Sequence, residues 1–141
     1  MFATMTNPAA AYRNNALDIQ VETASPHRLV VMLYDGALMA LAAAAMHIKQ
    51  KETAKKGKAI SHAINIIDGG LKASLDRKAG GDLAEKLAAL YEYMCIRLLQ
   101  ANLNNDIGAV NEVSGLLKEI KSAWEEIADD PAVLSATKAA A

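Results

Sequence analysis

At 141 residues and a formal net charge of −1, the chain is long enough for one domain with its own core. It carries no basic excess to draw it to nucleic acid. A single cysteine, Cys95, excludes an internal disulfide framework and fits a reducing compartment.

Residues 1–24 are low in charge and show no sustained helical period. The opening M-F-A-T-M-T-N-P lacks a positively charged region leading into an apolar stretch, so no secretory signal is expected. Leu17, Ile19 and Val21 alternate with Asp18, Gln20 and Glu22, an extended pattern. Tyr12 stands alone. The segment reads as a flexible terminal arm, or as an apolar arm that lies on a groove of the same protein. The residues leave both open.

Ser25-Pro26 is a helix-start signal, since a serine side chain caps free N–H groups and proline fits the first helical position. Helix 1 is expected from Pro26 to Gln50. From Leu29 to Ile48 it is apolar apart from Tyr34, Asp35 and His47. On a wheel of 100° per residue it carries two apolar stripes. Met32, Gly36, Met39, Ala43 and Met46 form one; Val30, Leu33, Ala37, Leu41, Ala44 and Ile48 form the other. A surface helix usually buries one stripe, and either could face the core. The stretch has the length of a membrane span, but Asp35 and heavy use of Ala and Gly argue against membrane insertion. Lys49, Lys51, Lys55 and Lys56 then read as a solvated connection.

Helix 2 is expected from Ala54 to Leu75, with Ile60, Ile64, Ile67, Leu71 and Leu75 as its buried face. Asp76 to Gly81 reads as a turn. Asp82 then opens helix 3, with Glu85 three residues on as in a capping box. Leu83, Leu87, Leu90, Met94 and Leu98 form its main stripe, widened by Ile96, Leu99 and Leu103. Asn104-Asn105-Asp106 is the next turn and cap. Helix 4 follows from Ile107 to Ala128, with Val110, Val113, Leu117, Ile120, Trp124 and Ile127 at bundle-seam spacing. Asp129-Asp130-Pro131 stops it. The expected fold is all-α: an antiparallel up-down four-helix bundle over residues 25–128, with an N-terminal arm over 1–24 and a frayed or disordered tail over 129–141.

No catalytic, cofactor or metal site is expected. His27, His47 and His62 lack the Glu three residues before them that di-metal bundles use. No phosphate loop or nucleophile elbow is present. Cys95, beside the Met94 stripe, reads as a buried structural thiol. Two features exceed a plain bundle. Gly36, Gly57, Gly69, Gly70, Gly108 and Gly115 fall within or near helices, where they allow close helix approach or leave shallow grooves. Met32, Met39 and Met46 recur every two helical turns, and methionine suits tolerant packing against a partner helix.

Several stretches carry a resemblance. T-A-S-P-H-R-L-V-V-M-L-Y-D-G-A (Thr23 to Ala37) resembles the opening helix of the flagellar export chaperone family, FliS. So do K-A-I-S-H-A-I-N-I-I-D-G-G-L-K-A-S-L-D (Lys58 to Asp76) and G-G-D-L-A (Gly80 to Ala84). L-Y-E-Y-M-C-I-R-L-L-Q-A-N-L-N-N-D (Leu90 to Asp106) and E-V-S-G-L-L-K-E-I-K-S-A-W (Glu112 to Trp124) continue the match in order, from about Tyr12 to Ile127.

The resemblance implies an ATP-independent, non-enzymatic, cytoplasmic chaperone. It would bind the disordered C-terminal segment of flagellin, block premature polymerisation and keep the client competent for flagellar type III export. It also implies a meeting with a flagellar export gate component. The family's N-terminal arm carries a tyrosine that matches Tyr12, here the arm's anchor. Leu29, Met32, Tyr34, Gly36 and Met39 are assigned to the client groove, on the methionine side of helix 1. The rival expectation is a bundle that self-associates through the uncovered stripe, with a weak homodimer when no client is bound.

Overall fold

The computed structural model describes residues 25–126, nearly all of them helical. Helix α1 spans Pro26–Lys49. The Ser25 hydroxyl accepts from the Arg28 N–H at 3.1 Å and Pro26 occupies the first turn, so the start signal in the sequence works as expected. His47 bonds through Nδ1 to Glu52 Oε1 at 2.9 Å across the α1 exit. Lys51 reverses the chain with a positive φ of 58°.

Helix α2 spans Thr53–Asn65 and continues without a break as π-helical winding over Ile66–Lys72. The length matches the expectation, but the winding does not. A π turn holds more residues than an α turn. That lets adjacent residues share the inward side: Ile67 and Leu71 enter the core while Ile66 and Gly70 face α1. A Cβ on Gly70 would lie 3.0 Å from Leu33 Cδ2, so this glycine permits close approach of the two helices.

Helix α3 spans Arg77–Asn104 as two helical pieces that meet at a non-helical Gly81. Asp76, not Asp82, caps the first turn, accepting from the Ala79 N–H at 2.9 Å. The expected break ahead of Asp82 is present at Gly81, whose φ of 55° favours a residue without a Cβ. Asn105 closes α3 in the left-handed conformation. Helix α4 spans Ile107–Glu126, capped where Asp106 Oδ1 accepts from the Ala109 N–H at 3.2 Å.

Short links reverse the chain after each helix, and α1 packs on α2 and α4 while α3 packs on α2 and α4. The ring order is therefore α1–α2–α3–α4, with α1 and α3 on one diagonal. Polar ties mark the seams. Lys121 reaches Asp35 at 2.7 Å between α4 and α1, and Arg97 Nε reaches Glu112 at 2.8 Å between α3 and α4. Lys72 reaches Glu92 at 3.1 Å between α2 and α3. His27 stacks on Trp124 with ring centroids 5.6 Å apart. The bundle expectation holds over the described residues; the arm and the tail fall outside them.

The core answers the question of which α1 stripe turns inward. Val30, Ala37, Leu41 and Ala44 are buried, as are Tyr34 and Ala40. Across the diagonal they meet Tyr91, Met94 and Leu98 of α3, with Ile60 and Ile67 of α2 and Val110, Val113, Leu117 and Trp124 of α4 completing one cluster. Alanine at these crossings allows close approach and high packing density.

Lys56 departs from the expectation of a solvated run. It is 4% exposed. Its ammonium donates to Asn102 O at 2.9 Å and Asn105 Oδ1 at 2.7 Å. It thereby ties the start of α2 to the carbonyl end of α3, where a cation is favoured by the helix dipole.

Candidate partner-binding surface

With one stripe committed to the core, the other is left on the outside of α1. Met39 is 74% exposed and Met46 48%, while Met32 and Ala43 are half-buried. A buried face and an outward apolar face on one helix explain why α1 is long and apolar enough to match a membrane span by composition while packing on α2 and α4.

The five residues assigned to a groove separate here. Leu29, Met32 and Met39 lie on the outer side or its α2 flank, all at least partly exposed. Tyr34 does not belong with them, because it is 0% exposed. Its hydroxyl pairs with the Tyr91 hydroxyl at 2.5 Å across the bundle diagonal. Burial drives the Tyr34 phenol pKa upward and pushes that of Tyr91 up to about 12. The apolar ring fills the core while the partner hydroxyl satisfies the polar tip. Gly36 has its open side filled by Ile66, whose Cδ1 lies 3.4 Å from where a Cβ would sit. Its role is helix packing within the bundle rather than an empty groove. Gly57, Gly69 and Gly115 do leave open space beside the backbone. Tyr12 lies outside the described residues.

The structure adds a second apolar face. Ile96, Leu99 and Leu103, read from the sequence as a widening of the α3 core stripe, are 55%, 59% and 82% exposed. The buried line of α3 runs instead through Ala84, Ala88, Tyr91, Met94, Leu98 and Ala101. Leu83, expected in the seam, is exposed, and Leu87 and Leu90 are half-buried. Weighting the stripe by leucine hides the small-residue line where the helices touch. The retrievable signal is that Ile96, Leu99 and Leu103 keep an i, i+3, i+7 spacing of their own, offset from the line through Met94 and Leu98.

Beside this face, Tyr93 donates to Glu112, which also accepts from Arg97. These hydrogen bonds, Tyr93 first, hold the Glu112 carboxyl below its usual range. Cys95 is half-buried, and burial pushes its thiol pKa up, which suits packing rather than nucleophilic use. Among the described residues no three His, Cys, Asp or Glu side chains converge as a metal site. What this surface offers is apolar area on two diagonal helices, rimmed by charged side chains.

The family profile described as "Flagellar protein FliS" matches residues 5–131. Curated relatives agree. The flagellar secretion chaperone FliS of Salmonella typhimurium is 51% identical over 117 residues, covering 83% of this chain and 87% of the relative. That of Escherichia coli is 44% identical, covering 88% and 91%. That of Bacillus subtilis is 37% identical, covering 85% of each. These relatives are chaperones and not enzymes, and the match spans the whole bundle. The chain belongs to the FliS family of flagellar secretion chaperones.

Proposed function

We propose that the chain is a cytoplasmic, ATP-independent export chaperone whose client is the disordered C-terminal segment of flagellin. It holds that segment on the two apolar faces, blocks premature polymerisation and keeps the subunit competent for flagellar type III export. The observation that carries the reading is the outward methionine stripe of α1, exposed on a bundle whose family is named for secretion chaperones. A disordered client binds strongly only by wrapping enough surface to offset its ordering entropy. Faces on diagonal helices suit such wrapping better than one flat patch. Methionine suits it too, because its flexible thioether repacks against different apolar partners. Release needs no fuel where the export machinery competes for the client. Tyr12 anchors the arm in this proposal, and the arm contributes to docking at the export gate component.

The test is to mix the full chain with roughly the last fifty residues of the cognate flagellin, a length able to wrap such surfaces. Mass is read by light scattering and helicity by circular dichroism. A one-to-one complex with gained helix supports the proposal. No complex, with a homodimer that grows with concentration, would replace it with self-association through the same faces.

A further inference from the structure

The end of the bundle where α1 turns into α2 has a chemistry that client binding along the sides does not use. Lys49, Lys51, Lys55 and Lys58 are all exposed there. Of these four, only Lys55 has an ion pair within the described residues, to Glu52 at 3.2 Å. Glu52 is further engaged by His47, Asp106 caps α4, and Glu112, level with Lys58, pairs with Arg97. Lys49, Lys51 and Lys58 therefore project charge outward uncompensated. The buried Lys56 ammonium adds to the field, because both of its partners are neutral oxygens.

Two apolar side chains flank the same end. Met46 lies in the last turn of α1, and Leu103 lies at the end of α3, which the Lys56 bonds hold against α2. Leu103 has the highest exposure among the large apolar side chains of the described residues.

From this juxtaposition we infer that the α1–α2 end of the bundle is a peripheral docking surface for an anionic lipid bilayer. Clustered basic residues beside exposed apolar side chains are the ordinary requirement for adsorption to acidic headgroups. An acidic protein segment fits less well, for two reasons. The cations are lysines, which act as hydrated point charges, whereas pairwise carboxylate recognition favours the planar fork of arginine. The surface is also the tip of the bundle, at the turn from α1 into α2. Adsorption here is not insertion: α1 keeps its core stripe, and Met32 and Met39 of α1 with Ile96 and Leu99 of α3 stay free for a client.

The experiment floats the full chain with vesicles of phosphatidylglycerol and phosphatidylcholine in equal parts, and with phosphatidylcholine alone, at low and at physiological salt. Binding to the anionic vesicles is expected, weakening as salt screens the charges. A K49E/K51E/K58E variant, which breaks no ion pair, should lose at least tenfold in affinity while keeping its circular dichroism spectrum. A K78E/K86E variant, reversing two charges at the far end, should bind as the parent does. Leu103→Ser should weaken what binding persists at physiological salt. Failure to float with anionic vesicles, equal binding to neutral ones, or equal loss in both reversal variants overturns the inference. So does lysine-dependent binding to polyglutamate in place of vesicles, which would assign the end to an acidic protein.

Discussion

Replacing Met39 and Met46 together by glutamine separates a client face from a core face. Glutamine has nearly the length and helix propensity of methionine, so the change is chiefly the loss of apolar surface. Fully covering a methionine side chain is worth about 1.5–3 kcal/mol. Met39 and Met46 present 74% and 48% of their surface. Covering what is exposed is therefore worth roughly 2–4 kcal/mol in all. At 1.4 kcal/mol per decade, the double variant should bind the flagellin segment roughly 30- to 700-fold more weakly by titration calorimetry. The free chain should barely notice, because exposed substitutions change stability by about 0.5 kcal/mol or less. Leu41→Ala, on the opposite stripe and fully buried, should do the reverse, destabilising the fold by about 2–5 kcal/mol. Affinity within threefold of the parent would remove the client from this face. A fall of several degrees in the melting temperature of the double variant would refute the stripe assignment itself.

The buried hydroxyl pair gives a second test: Tyr34→Phe strands the Tyr91 hydroxyl and should cost about 1–3 kcal/mol in a denaturant titration, whereas the double Phe variant should lie near the parent. The same pair sets an alkaline limit. Both phenols bind their protons more tightly folded than unfolded, so the stability this confers is complete below about pH 10 and is lost as pH rises towards the folded values. Tyrosinate absorbance from these two residues should appear together with unfolding. Lys56→Ala should cost about 2–4 kcal/mol by leaving the Asn102 carbonyl and the Asn105 side chain without their charged donor, and Lys56→Met should cost less because its side chain still fills the space of the lysine stem. The adjacent glycines should differ: Gly69→Ala has open space, while Gly70→Ala presses on Leu33 and should melt lower than Gly69→Ala.

Capping chemistry and period were enough to place the elements. Ser25-Pro26, Asp106 and the bundle-seam spacing through Val110, Val113, Leu117 and Trp124 act locally, through hydrogen bonds or positions within a few residues, and the structure repeats them. The two stripes of α1 were also legible as stripes. Their assignment was not, because each has the period of a buried face and periodicity says nothing about which neighbours a helix meets. Packing decided it: α2 and α4 cover Val30, Ala37, Leu41 and Ala44 and leave Met39 and Met46 outside. The same limit moved Tyr34 into the core, where Tyr91, a residue distant in sequence, supplies its hydrogen bond. It carried Lys56 inward to the carbonyl end of α3, and it set Ile96, Leu99 and Leu103 on a face of their own. Local order fixes where helices begin, end and repeat; burial is a property of what the rest of the chain brings alongside, and only the tertiary structure supplies it.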